Sequence, residues 1–137
     1  MNQTLLNMIY ETLQKLLKQL EILKMKAMVL RLCEEYKLDK DQTNLIGAVI
    51  ECESGYNPKA INMNKDGTGD YGICQWNDYW AWQREKVISP ADALNNPELA
   101  VKKMLEVYCK YGTGPNGLKR WVCYSGDYYK KYMPKNV

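Results

Sequence analysis

The 137-residue chain contains no histidine. That absence removes Ser-His-Asp and Cys-His nucleophilic catalysis, histidine-ligated zinc and most imidazole proton relays, leaving carboxylates to carry any acid–base chemistry. Phenylalanine is absent too, so every aromatic ring is a Tyr or Trp with a polar handle, suited to hydrogen-bonded surface as well as core. No apolar run is long enough for a transmembrane span, and residues 1–25 lack the uninterrupted apolar core of a signal peptide. No C-x-x-C pair occurs: Cys33, Cys52, Cys74, Cys109 and Cys123 are spaced too widely for a metal or redox motif. No basic cluster is dense enough to make nucleic acid a partner.

What remains is one domain's worth of chain, large enough to bury a core without help from disulfides or metal. The net charge of +3 is segregated: residues 41–100 carry −5 and residues 101–137 carry +6. A basic C-terminal face of that kind attracts anionic polymer or forms a plain lysine-rich surface. The five cysteines read as buried free thiols or as one or two disulfides, with at least one thiol necessarily left over or paired between chains.

The strongest periodicity is N-terminal. Leu6, Ile9, Leu13, Leu16, Leu20, Leu23, Ala27 and Leu30 follow a 3,4 spacing, a heptad seam on a helix rich in Leu, Lys, Gln and Glu. It reads as a coiled-coil stalk, as a helix folded on the body, or as a membrane-surface helix. Leu5, Leu17 and Ile22 widen the stripe and favour packing against the body or a second copy, giving possible self-association through this helix. Residues 1–25 are therefore set apart from a body of residues 26–137. Further on, residues 28–37 continue or restart the helix, Asp39 reads as an N-cap, and a second helix spans residues 42–54, closed by Gly55 and Pro58. Residues 62–76 read as two or three short antiparallel strands with turns at Asp66-Gly67 and Thr68-Gly69. Ser89-Pro90 and Asn96-Pro97-Glu98 start two more helices, the latter ending near Gly112, and a brief helix covers residues 118–124. The balance is α+β: mostly helical with one small antiparallel sheet.

Two carboxylates stand in contrasting settings. Leu45, Ile46, Val49 and Ile50 form an apolar stripe that reaches Glu53 four residues on, where a charge is costly and the pKa should rise. Asp70 lies among Asn, Asp, Gly and Thr, where backbone and hydroxyl donors would keep it ionised. A neutral acid facing a carboxylate is what glycoside hydrolysis requires. Asn62-x-Asn64-x-Asp66-Gly67 begins like a calcium loop, but its twelfth position is Ile73, so no metal and no cofactor is expected.

The central stretch Glu53-Ser54-x-Tyr56-Asn57-x-x-Ala60-x-Asn62-x-Asn64-x-Asp66-Gly67-Thr68-x-Asp70-Tyr71-Gly72-Ile73-x-Gln75-x-Asn77 resembles, without a gap, the active-site segment of c-type lysozymes. Gly117-Leu118-Lys119-Arg120-Trp121-Val122-Cys123-Tyr124 is similar to the family's late cleft-wall helix. Together these cover roughly residues 30–130, leaving the heptad helix outside. Lysozymes are the type case for a raised glutamate opposite an ionised aspartate, so the roles are carried over from them. The resemblance implies a lysozyme-like fold whose sheet flanks the active-site cleft, a muramidase acting on peptidoglycan, Glu53 as general acid and Asp70 as nucleophile or stabiliser. It also implies that Asn64 and Asn77 hold substrate or aspartate, that Gln75 is on the cleft floor, Trp80 at its edge, Trp121 against the glutamate, and Tyr124 among the substrate-binding residues.

The chain departs from that pattern in lacking the eight-cysteine framework and in carrying Ala81 where a second tryptophan is usual. Glu53-Ser54, Gly72-Ile73-Cys74-Gln75, Asn96-Pro97-Glu98 and Tyr124-Ser125-Gly126 also resemble the soluble lytic transglycosylases, which use the glutamate alone. A lytic transglycosylase and a non-catalytic glycan-binding module are therefore the alternatives. The resemblance implies work at the cell wall by a secreted, periplasmic or phage-delivered protein, with the leaning toward a bacterial or phage source.

Overall fold

A computed structural model describes residues 2–135. Helix α1 (Gln3–Glu35) is continuous, and at 1.5 Å per residue it is about 50 Å long. Its N-terminus is capped by the Asn2 side chain, which accepts the Thr4 N–H at 2.7 Å. Residues 2–21 are exposed throughout, and packing begins at Ile22. From there Ile22, Met25, Val29, Leu32 and Cys33 turn toward the body, and Arg31 pairs with Glu98.

Helix α2 (Lys40–Ser54) begins with a reciprocal capping box between Asp39 and Gln42 and ends at Gly55, in the left-handed region. Ile46, Val49 and Ile50 are fully buried in the core, as the apolar stripe requires. The sheet follows, with β1 (Ile61–Met63), β2 (Gly69–Tyr71) and β3 (Trp76–Asn77) in the order β1-β2-β3, all antiparallel. Its register aligns Asn62 with Asp70 and Asp70 with Asn77.

The turn leading into β3 is pressed against the next helix. Gly72 has φ +80°, and a Cβ there would lie 2.0 Å from the Ala93 carbonyl oxygen. Only glycine fits. After β3, residues Tyr79–Arg84 form a π-helical turn, with i+5 bonds such as Gln83 N–H to Asp78 O at 3.1 Å. Helix α3 (Pro90–Asn95) is capped by Ser89 and α4 (Pro97–Tyr111) by Asn96. The α4 side buried in the core carries Ala100, Val101, Met104, Leu105 and Tyr108. The region read as one brief helix is a 3₁₀ turn (Leu118–Arg120) followed by α5 (Val122–Ser125). The tyrosine- and lysine-rich end forms a further 3₁₀ turn (Tyr128–Tyr132) that docks on α2. The fold is α+β, mostly helical with one small sheet, as expected.

The cysteines divide. Cys52 and Cys123 form a disulfide with Cα atoms 6.0 Å apart; Cys33 and Cys74 are buried thiols, whereas Cys109 is an exposed one.

Candidate active site

Glu53 is delivered by the last turn of α2. The helix stops two residues later at Gly55, and its end is fixed to the sheet side by the Ser54 hydroxyl, which donates to the Ile73 carbonyl at 2.6 Å. Oε1 of Glu53 accepts the backbone N–H of Cys123 in α5 at 3.1 Å. Burial pushes the Glu53 carboxyl up from 4.5 to about 7; the Cys123 N–H opposes that rise and the charge of Asp70 adds to it. The carboxyl expected to be displaced by its apolar surroundings is displaced by them.

Asp70 is held differently. Its Oδ2 accepts the Asn64 side-chain amide at 3.0 Å and its Oδ1 that of Asn77 at 2.9 Å. The donors are side-chain amides, not the backbone and hydroxyl groups expected from the local composition. The same two amides donate to the Thr68 hydroxyl oxygen, at 3.0 and 3.1 Å. Thr68 in turn donates its hydroxyl and backbone N–H to Asp66, at 2.7 and 2.9 Å, which holds the Asp66 carboxyl below its usual range. Asn77 is the pivot of this network, because its Oδ1 also accepts the N–H groups of Tyr79 and Trp80, at 3.0 and 3.3 Å. It thus ties the aspartate to the π-helical turn.

That turn carries Trp80 into an aromatic cluster. Trp76, Trp80 and Trp121 have ring centroids 5.0–5.7 Å apart in tilted or edge-on contact. Trp121 is fixed by its indole N–H on the Cys74 carbonyl at 2.7 Å, and Trp76 by its own on the Ala100 carbonyl at 3.0 Å. The Arg120 guanidinium lies 4.5 Å from the Trp80 ring centroid and pairs with Glu85. Gln75 is buried with φ +54°, and its amide is saturated: Nε2 donates to the Ala60 and Gly72 carbonyls, and Oε1 accepts from Asn62.

One cleft of about 390 Å³ is lined by Glu53, Asn64, Asp70, Gln75, Asn77, Trp80 and Trp121. Seven of the eight residues expected at the site thus meet. The eighth, Tyr124, is outside that lining and stacks on Tyr129 with ring centroids 5.2 Å apart. Asp66, Thr68, Arg120 and Val122 also line the cleft, in addition to the residues expected there. A disulfide is one of the alternatives the sequence leaves open for the cysteines, but its pairing is not legible there: Cys52 immediately precedes Glu53 and Cys123 follows Trp121 by two.

A buried acid and an amide-clamped carboxylate in one cleft, on an α+β body of this topology, fit the lysozyme-like arrangement that the sequence resembles. The comparisons with known proteins agree. Residues 34–125 match the family described as "Transglycosylase SLT domain", and the chain belongs to that family. It is 32% identical to Protein IpgF of Shigella flexneri over 108 residues, covering 66% of this chain and 71% of IpgF. It is 35% identical to Lysozyme C of Takifugu rubripes over 78 residues, covering 53% of this chain and 54% of that protein. The milk isozyme of Lysozyme C from Canis lupus familiaris is 33% identical over 85 residues, 56% of this chain and 63% of the relative. The protein is accordingly a lysozyme-like, glycosidase-type enzyme acting on peptidoglycan, and its work is extracytoplasmic. Among the described residues no helix is long and apolar enough to cross a membrane.

Proposed function

We propose that the protein is a muramidase that hydrolyses the β-1,4 bond between N-acetylmuramic acid and N-acetylglucosamine. The observation that carries this reading is the pairing, in one cleft, of a Glu53 carboxyl raised to about 7 with an Asp70 carboxylate clamped by two amides. Glu53 donates its proton to the bridging oxygen as the bond to the muramyl C1 breaks. Asp70 then bonds to C1 or stabilises its positive charge. The resulting Glu53 carboxylate removes a proton from water, whose oxygen takes C1 with net retention. Asn64 and Asn77 fix Asp70, and Gln75 shapes the floor. Trp80 and Trp121 supply the apolar edge, and Tyr124 supports the α5 wall. Released fragments carry reducing muramic ends, and Glu53→Gln abolishes their release with the fold intact.

The family match favours a second reading, a lytic transglycosylase. Here Glu53 is acid and base, the muramyl 6-hydroxyl replaces water, and the fragments are 1,6-anhydro forms. Asp70→Asn separates the two: a retaining hydrolase loses turnover and a transglycosylase keeps most of it. Either activity, in a secreted, periplasmic or phage-delivered protein, is bacteriolytic.

Residues 1–25 are proposed as a unit of their own that pairs with a second copy. The supporting observation is a helix with two apolar sides. Ile22, Met25, Val29 and Leu32 face the body, while Leu20, Leu23, Ala27 and Leu30 lie on the other side of the helix and stay exposed, continuing the seam from Leu6. Light scattering should give a dimer that becomes monomeric in the Leu13→Glu/Leu20→Glu variant; a monomer in both cases rejects the pairing.

A further inference from the structure

The disulfide and the acid occupy adjacent links of the same chain. Cys52 is the residue before Glu53, and its partner Cys123 is the residue whose N–H reaches Glu53 Oε1. The covalent link and the hydrogen bond therefore join the same two segments within one residue of each other. Helix α5 has only four residues, too few to persist without tertiary support. Cys123 is 71 positions from its partner, so chain connectivity does nothing to hold the two together.

The hydrogen bond has a chemical consequence. A backbone N–H can only donate, so the oxygen it contacts must act as acceptor. With Cys123 N–H on Oε1, the proton of a neutral Glu53 is favoured on Oε2, because the carbonyl oxygen of a carboxylic acid is the better acceptor. Among the described residues no protein group bonds Oε2. A general acid needs its one O–H on the oxygen that can meet the leaving group. If α5 drifts, either oxygen can carry the proton and part of the neutral population has it on the wrong side. We propose that the Cys52–Cys123 disulfide is a positioning device, which holds the Cys123 N–H on Glu53 Oε1 and so assigns the acidic proton to Oε2. This rests on Glu53 being the general acid.

Trp121 makes the effect separable from simple unfolding of the wall. Its indole is anchored independently, on the Cys74 carbonyl and against Trp76 and Trp80, so this part of the cleft lining stays in place when the disulfide is removed. What is lost is the N–H, which opposes the upward effect of burial. The other groups around Glu53 are unchanged: Asp70 from the sheet, the buried Cys74 thiol, and Arg120 and Asp66 on the cleft lining.

The test is the double variant Cys52→Ser/Cys123→Ser of the full chain. Its Glu53 carboxyl is titrated by carbon-13 NMR, and its turnover of purified peptidoglycan is measured well below its melting temperature. The expected results are a titration midpoint above that of the wild type, a kcat lowered about tenfold or more, and a KM within about twofold. A midpoint that is unchanged or lowered overturns the proposal, and so does an unchanged kcat; either would leave the bond a plain staple. Should the variant fail to fold, the same titration is run on native protein reduced with dithiothreitol, which closes to its own cyclic disulfide as two protein thiols form. The titration needs no turnover. If the wild type cleaves nothing, the reading of Glu53 as acid fails on its own, while the midpoint still reports whether the disulfide sets the hydrogen bond.

Discussion

Glu53→Gln should stabilise the protein, and only above a defined pH. In the folded state burial holds the carboxyl at about 7, against 4.5 as the ordinary value. Below pH 4.5 it is protonated in both folded and unfolded chains and carries no penalty. As pH rises through 7 the folded protein must ionise a buried group that the unfolded chain ionises freely. The difference, at about 1.4 kcal/mol per tenfold, is about 3 kcal/mol of stability lost between those limits. Glutamine keeps an oxygen for the Cys123 N–H and never ionises, so it escapes the loss. Urea unfolding of both proteins at pH 4 and pH 8, with the disulfide intact, reads this directly. With an m-value of about 2 kcal/mol/M, the midpoints should coincide at pH 4 and differ by about 1.5 M at pH 8, the variant being the more stable. Other carboxylates titrate alike in both proteins and cancel. A gap that is the same at the two pH values, or a wild type that is the more stable at pH 8, refutes the claim that burial makes Glu53 a neutral acid.

Activity should follow the same group: the alkaline limb of kcat falls with a midpoint near 7, because only protonated Glu53 can donate, and a limb displaced by two pH units rejects the assignment. Asn77→Ala removes one donor from Asp70 and the cap of the π-helical turn together. A hydrogen bond to a charged group is worth about 1.5–3 kcal/mol, so kcat on peptidoglycan should drop about 10- to 100-fold, with Asn64→Ala milder because it leaves that cap in place. Gly72→Ala places a methyl 2.0 Å from the Ala93 oxygen in a left-handed conformation; thermal melting should show severe destabilisation or no folded protein.

Much of this site is written in local sequence because its physics is local. The apolar stripe of α2 predicted both the helix and the position of Glu53 on it, and Gly55 stops the helix where a left-handed cap is needed. The Asn-, Asp- and Gly-rich stretch has the turn chemistry of a hairpin, and three strands form there. What was not legible depends on contacts far along the chain. Nothing local pairs Cys52 with Cys123. The π-helical turn at Tyr79–Arg84 is six residues long, too short for a distinct period. It is set by Asn77 capping its start and by Trp80 packing on Trp76 and Trp121. The saturation of Gln75 by Ala60, Gly72 and Asn62 likewise exists only once the sheet has closed around it.

The most direct test of the account is mass spectrometry of the fragments released from purified peptidoglycan by the wild type and by Glu53→Gln. The account predicts fragments with ordinary reducing muramic ends from the wild type and none from the variant. Fragments one water lighter would make the protein a transglycosylase and leave Asp70 a structural residue; no fragments, or equal release by the two proteins, would contradict the central role of Glu53.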